Sequence, residues 1–177
     1  MRYLLSSPPA RETALRLLAD MPGFLAARFL GLPPDAAVRP GPGGSFSPVE
    51  QCWHLADLER RGFAVRIRRL LAEENPELPD FDGARAAEEG NYRSRSVAEG
   101  IAAFRACREE NIAALRAVPE KAWLRGGTQE GVGPVTLCDI PAMMAEHDAG
   151  HRGEIEAADE GALPPDAHSS SRRGSTS

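Results

Sequence analysis

Two histidines near the carboxyl end of the chain, His147 and His151, stand four residues apart in the sequence His-Asp-Ala-Gly-His. In a helix this spacing puts both imidazoles on one face, one turn apart, where they can offer two nitrogens to one cation. The other residues of that face are apolar, which predicts that it looks into a core. They are Ile140, Met143, Met144 and Ile155. Buried imidazoles need hydrogen-bond partners or a metal ion, and the residues alone leave both interpretations open.

A third histidine, His54, lies far earlier in the chain, in the sequence Cys-Trp-His-Leu. Antiparallel packing of two helices would bring it opposite the pair. Three imidazoles around a divalent ion leave a coordination position for water or substrate, which is the catalytic arrangement. The ion would lower the pKa of a bound water or thiol. Gln51 and Asp57, one turn before and after His54, are candidates to hold its second ring nitrogen, although a solvent-facing position is the commoner role of such residues.

The sequence His-Asp-Ala-Gly-His is also close to the HExxH motif of zinc proteases, in which the glutamate is the general base. Here Asp148 takes that position with a side chain one methylene shorter, and no third ligand follows it. A protease is therefore not favoured, and Asp148 stays a candidate for a catalytic or ligand-supporting role. The fourth histidine, His168, lies in a serine-rich tail and is a poor candidate.

The composition excludes several classes of protein. A formal net charge of -5 argues against a general nucleic-acid binder, and no run of about 18 apolar residues could span a membrane. The three cysteines are far apart and odd in number, which favours reduced thiols in a cytoplasmic protein. Cys52 and Cys138 are interpreted as core residues, so we assign no catalytic nucleophile to the chain itself. Five arginines of one helix spread around its surface, which favours a solvated face over a phosphate site. They are Arg60, Arg61, Arg66, Arg68 and Arg69.

Four stretches of the chain carry helical signals. They run from about Pro9 to Leu30 with a bend or break at Met21–Gly23, from Ser47 to about Glu74, from Ser96 to before Pro119, and from near Thr136 to Gly161. Ser47 and Ser96 each stand three residues before a glutamate, which is the capping-box pattern. Pro141 means that either the first turn of the last helix is distorted or Asp139 is its true N-cap. A small extra helix at residues 119–124 would place Trp123 on the end of the bundle.

No segment shows the sustained alternation of a strand, and the predicted fold is an all-α antiparallel four-helix bundle without a sheet. Any sheet of three or more strands would overturn this interpretation, because the bundle is what brings the histidines together. We expect one domain over residues 1–160 and a disordered tail over residues 161–177.

Two motifs resemble those of the DinB/YfiT-like superfamily. Residues 46–59 match the WSxxExxxHLxxxE signature that opens the family's second helix, and residues 147–155 are similar to its HxxxHxxQI in the last helix. The resemblance covers about residues 15–160. Phe46 replaces the usual tryptophan, which changes packing, and Glu154 replaces the usual glutamine, which alters the charge near the site.

The resemblance implies an up-down-down-up four-helix bundle in which His54, His147 and His151 bind a divalent metal. Zinc or nickel is favoured, with iron or manganese as alternatives. It further implies a metal-dependent enzyme, of thiol S-transferase or hydrolase type, acting on a small-molecule substrate with a low-molecular-weight thiol as co-substrate. The alternative is a non-catalytic metal-binding or stress-response protein with a structural ion, which a fourth protein ligand would favour.

Three apolar residues spaced along the second helix suggest more apolar surface than one core can cover. They are Trp53, Phe63 and Ile67. We therefore expect a homodimer, which the resemblance also implies.

Overall fold

The computed structural model of the protein describes residues 7–162, with side chains described as far as residue 158. Within this part of the chain the α-helices are α1 (Pro8–Phe29), α2 (Pro34–Ala37), α3 (Pro48–Asp57), α4 (Ala64–Ala72), α5 (Gly83–Gly90), α6 (Val97–Arg116) and α7 (Ile140–Ala162). A π-helical segment, Leu58–Phe63, joins α3 to α4. The four long helical segments therefore lie where the sequence predicts them. The disordered tail predicted for residues 161–177 lies outside the described residues, apart from 161 and 162 at the end of α7.

The helix starts follow the capping signals. At α3 both bonds of the capping box form between Ser47 and Glu50, and at α6 the side chain of Ser96 accepts the N–H of Glu99. Helix α7 begins directly after Asp139, so that Pro141 falls at the second helical residue, where no N–H is needed. Of the two alternatives for this end, the structure therefore favours Asp139 as the residue that precedes the helix.

Of the bend or break predicted for α1, the break is wrong, because the helix continues through Pro22. Proline has no N–H for the carbonyl four residues earlier, which here belongs to Leu18. The guanidinium of Arg108 on α6 donates to that carbonyl oxygen at 3.0 Å. The hydrogen bond that Pro22 cannot make is thus replaced by one from a neighbouring helix.

The prediction of no sheet is also wrong. Three short strands form one sheet, in the order β1 (Glu77–Leu78), β2 (Gly126–Gln129) and β3 (Gly133–Thr136), with β1 parallel and β3 antiparallel to β2. The strands lie in the connections between helices and take no residue from the four long segments. The helices pack as a bundle regardless, with α6 against α1 and α3 and with α7 against α1. The sheet is therefore an addition to the helical bundle and does not replace any of its helices.

The core consists of two apolar clusters with polar residues between them. Along α6, Phe104 belongs to one cluster and Ile112 to the other, and the buried Arg108 lies between them. On α7, Asp148 and His151 likewise lie between the members of the two clusters. The short helix predicted near residue 120 is a 3-10 turn, and the Trp123 that follows it is buried in one of the two apolar clusters. A polar layer of this kind is where a buried site can be built.

The reasoning that led to a homodimer is not supported. Phe63 and Ile67 lie in the core of the chain itself, each 3% exposed, and the indole N–H of Trp53 donates to the Ser96 carbonyl at 3.0 Å. Arg95 lies over the Trp53 ring, 4.2 Å from its centre. None of the described helices is long and apolar enough to cross a membrane.

A homodimer stays a prediction. We expect light scattering at micromolar concentration to give a mass close to two chains. A clean monomer across that concentration range would contradict the expectation.

Candidate metal centre

The three histidines singled out by the sequence meet at one point of the bundle. The Nε2 atom of His147 lies 3.5 Å from Nε2 of His54 and 3.3 Å from Nε2 of His151. One nitrogen from each ring lies within 4.8 Å of the others. An ion about 2.1 Å from each of several tetrahedral ligands would hold them about 3.4 Å apart. The separations of the ring nitrogens therefore suit a single divalent ion.

Packing fixes the rings in this orientation. His147 and His151 stand one turn apart on the inner face of α7, and their ring centres are 4.4 Å apart. The His54 ring packs against Phe46 and Phe81, with centroid separations of 5.1 and 5.9 Å. A Cβ atom at position 83 would lie 2.6 Å from Cε1 of His54, so this close approach of α5 requires glycine. His54 thus has little room to turn away from the pair.

The electrostatics keep all three rings neutral. Burial lowers the pKa of His54 to about 4, and repulsion from a charged His151 acts in the same direction. Burial and the neighbouring histidines lower the pKa of His147 to about 3. Burial also lowers the pKa of His151, although Glu154 and Asp148 oppose the shift. Neutral imidazole is the form that binds metal ions, so the site is ready for ligation at neutral pH.

These shifts predict how the stability of the metal-free protein depends on pH. Below about pH 6.5 the unfolded chain binds protons on its histidines while the folded chain does not, so stability should fall as the pH drops from about 6.5 to about 4. Each histidine contributes up to about 1.4 kcal/mol per pH unit. Urea unfolding of chelator-treated protein across this range would measure the slope. The His147→Leu variant has one such group fewer and should give a shallower slope, and an equal slope would contradict the assignment.

Three histidines are the complete set of close metal-binding side chains in the described part of the chain, since no carboxylate or thiol joins their group. A closed structural zinc site uses four protein ligands. A site with three neutral imidazoles leaves at least one position for an external ligand. The donor set therefore fits a catalytic ion better than a structural one.

The second ring nitrogens have few partners. Nδ1 of His54 and Nδ1 of His151 are buried without a hydrogen bond among the described residues. Nδ1 of His151 lies 3.6 Å from Oε2 of Glu154, which is too far for a good hydrogen bond. That oxygen also accepts the side-chain N–H of Gln51 at 3.0 Å. The structure therefore links Gln51 to the site through Glu154 and His151.

The carboxylates of Asp57 and Asp148 have other partners than the histidine rings. Asp57 accepts the Tyr92 hydroxyl at 2.6 Å and a guanidinium N–H of Arg60 at 2.6 Å. Asp148 accepts two hydrogen bonds from the buried guanidinium of Arg108, at 2.6 and 2.9 Å. Both oxygens of Asp148 are thus occupied, which is a poor arrangement for a general base of the protease type.

A cavity adjoins the histidines. It measures about 420 Å³ and includes His54 and His147 in its wall. Much of the remaining wall is apolar, including Leu58, Phe63 and Met143. Volumes of this size are typical of small-molecule sites. The point where the ring nitrogens meet therefore borders a space in which a substrate can lie.

A model of the DinB superfamily matches residues 12–155. The chain belongs to the DinB superfamily. No curated protein matches the chain in sequence.

Two solved structures resemble the fold. YfiT from Bacillus subtilis, described as a probable metal-dependent hydrolase with an unusual four-helix bundle topology, superposes with a TM-score of 0.80 and 18% identity, covering 87% of this chain and 88% of its own. The mycothiol-dependent maleylpyruvate isomerase superposes with a TM-score of 0.68 and 14% identity, covering 93% of this chain and 68% of its own. The predicted DinB-like four-helix-bundle class is confirmed, while the up-down-down-up order of the helices stays a prediction.

Some residues around the three histidines carry little or no signal in the sequence. Glu154 was noted only as a departure from the family motif, and its position one turn after His151 was the available signal. Arg108 carries no signal, because it is one of several charged residues on a helix far from both motifs. The prediction that the arginines of the second helical segment form a solvated face is wrong for Arg66, which is 4% exposed. Its neighbour Ile67 belongs to the core, and Arg66 itself lines the cavity beside His147.

Proposed function

We propose that the protein is a metal-dependent enzyme, of thiol S-transferase or hydrolase type, with His54, His147 and His151 as ligands of a zinc or nickel ion. The observation that carries the proposal is the convergence of three Nε2 atoms beside a cavity whose wall includes His54 and His147. A divalent ion bound there would supply Lewis-acid chemistry, lowering the pKa of a water or thiol at its open position. Water or a low-molecular-weight thiol is the corresponding nucleophile.

The residues of the chain would bind the metal ion and the substrate, and they would exclude water from the site. The neutral imidazoles provide lone pairs without a competing proton. Phe46 and Phe81 cover the His54 ring, and the apolar part of the cavity wall offers a surface for the body of a substrate. A low local dielectric strengthens the electrostatic interactions of any charge that develops during the reaction.

The state of the cysteines favours a nucleophile that comes from solution. All three are free, and Cys52 and Cys138 are buried as expected. Burial raises the pKa of Cys52 to about 12, and it raises the pKa of Cys138 as well. Thiolates are the reactive form, and neither residue supplies one at neutral pH. A small thiol from solution is therefore a better sulfur nucleophile than either of these two side chains.

Restoring the metal should restore the activity. We expect chelator-treated protein to be inactive and to regain activity with one equivalent of zinc or nickel. The assays would be conjugation of a thiol such as cysteine to monochlorobimane, and hydrolysis of p-nitrophenyl acetate. His147→Ala should lower the metal-dependent rate by about a hundredfold or more, since even the loss of an outer-shell partner costs about 10–100-fold.

The alternative, a structural ion in a stress-response bundle, predicts a different pair of results. The metal would raise the unfolding temperature, and the metal-loaded protein would show no rate above that of His147→Ala in either assay. That combination would contradict the enzymatic proposal.

A further inference from the structure

Arg66 is buried beside the histidine cluster with part of its hydrogen-bonding capacity unused. The residue is 4% exposed, and its Nε atom has no hydrogen-bond acceptor among the described residues. Its guanidinium lies over the Phe63 ring, 5.4 Å from the ring centre. A buried charged group is costly unless it is paired and hydrogen-bonded. The position of Arg66 therefore requires an explanation.

The ion pair that Arg66 makes is weak. Its Nη2 atom lies 3.7 Å from Oδ1 of Asp80, beyond the range of a good charge-assisted hydrogen bond. The Asp80 side chain is 66% exposed, and burial lowers the pKa of Arg66 even though Asp80 opposes this. Because the Asp80 side chain is exposed, its ion pair with Arg66 contributes little to stability. The side chain can also rotate away from Arg66 into the solvent at little cost.

A second polar group in the same cavity also lacks a partner. Gln129, at the end of strand β2, is 4% exposed, and its Oε1 atom has no hydrogen-bond donor among the described residues. Gln129 and Arg66 both line the cavity that contains His54 and His147. Unsatisfied buried polar groups are rare in native structures, and two of them on residues that line one cavity indicate a ligand.

We propose that the cavity binds a small carboxylate, with Arg66 as the group that holds its anionic end. The planar guanidinium matches a carboxylate with two parallel hydrogen bonds. The apolar wall formed by Leu58, Phe63 and Met143 would contact the body of the ligand, and Oε1 of Gln129 would accept a hydrogen bond from it. The ligand is a substrate only if the proposed enzymatic function holds, and the binding itself does not depend on that function.

A carboxylate suits the site better than a phosphate. The cavity wall contains one arginine and also two carboxylates, Asp80 and the exposed Glu146. A singly charged ligand can replace Asp80 at the Arg66 guanidinium. A doubly charged phosphate would face both acidic side chains with a single cation to neutralise it.

Titration of the full-length protein with benzoate and with benzamide would test the proposal, with the arginine Nε–H signals followed by NMR. The Arg66 signal is identified by its absence in Arg66→Met, which keeps the alkyl contacts and removes the guanidinium. We expect the Arg66 Nε–H signal of the parent protein to shift saturably with benzoate and not with benzamide. Arg66→Met should weaken benzoate binding by about tenfold or more. Arg68→Met, which removes an exposed arginine two residues away, should leave it unchanged.

Equal responses to benzoate and benzamide would overturn the proposal, as would a stronger response to inorganic phosphate than to benzoate. Unchanged benzoate binding in Arg66→Met would also overturn it. The titration is run with metal-free and with zinc-loaded protein. Benzoate binding without zinc uptake would support the carboxylate site and refute the metal-dependent enzyme. Zinc uptake without benzoate binding would refute the carboxylate site and support the metal-dependent enzyme.

Discussion

Arg108→Met is expected to lower the free energy of unfolding by about 3–5 kcal/mol, because it leaves two buried carboxylates without their cation. Nη2 of Arg108 lies 2.9 Å from Oε1 of Glu59, and Nη1 lies 2.6 Å from Oδ2 of Asp148. The three side chains are 2%, 1% and 8% exposed. Burial raises the pKa of Glu59 even with Arg108 beside it, which shows how costly its charge is. The same substitution removes the donor that satisfies the Leu18 carbonyl in α1.

The matched control for this prediction is Arg105→Met, an exposed position on the same helix. Its unfolding free energy in urea should stay within about 0.5 kcal/mol of the parent protein. Replacing Glu59, Arg108 and Asp148 together by apolar residues should cost less than Arg108→Met alone, since no charge is left buried. The account of the polar layer would be wrong if the two single arginine variants were equally stable.

His147→Ala is expected to lower the affinity for zinc or nickel by more than about a hundredfold, because it removes the central nitrogen of the cluster. His147 is the residue whose Nε2 atom is within 3.5 Å of both other histidines. The affinity is measured by calorimetric titration of metal-free protein that was purified without a metal-affinity column. Metal content after purification, measured by elemental analysis, should fall in parallel.

His168→Ala is the control, since it removes the fourth histidine of the chain, which the sequence places in the tail. It should leave both the affinity and the metal content unchanged. Equal affinities in the two variants would contradict the assignment of His147 as a ligand. Urea unfolding of both proteins without metal shows whether any loss comes from the site or from the fold.

The parts of the fold that the sequence predicts are those with local signals. Capping boxes at Ser47 and Ser96 give the starts of two helices, and the spacing of His147 and His151 on an apolar stripe gives the inner face of α7. These signals act within one turn of helix, so a single segment contains all the information that they need. The position of His54 opposite this face can be predicted once the helices are assumed to pack as a bundle.

The features that the sequence does not predict depend on contacts between distant segments. The strands of the sheet are two and four residues long, and β2 and β3 contain glycine, which is depleted in strands. At Gly127 a Cβ atom would lie 2.5 Å from the carbonyl oxygen of Pro76, so the pairing of β1 with β2 needs glycine there. The continuity of α1 at Pro22 depends on Arg108 from another helix. Arg66 lies in the wall of a cavity that also includes Gln129 of strand β2, a residue 63 positions away in the sequence.

The central claim is that His54, His147 and His151 bind one metal ion through their Nε2 atoms. Crystals of zinc-loaded protein, with diffraction collected on both sides of the zinc absorption edge, test it most directly. The account predicts one strong anomalous peak per chain, about 2.0–2.2 Å from each of the three Nε2 atoms, with a further position open to the cavity. A zinc peak held by other residues, or three histidine rings turned to different sides, would contradict it.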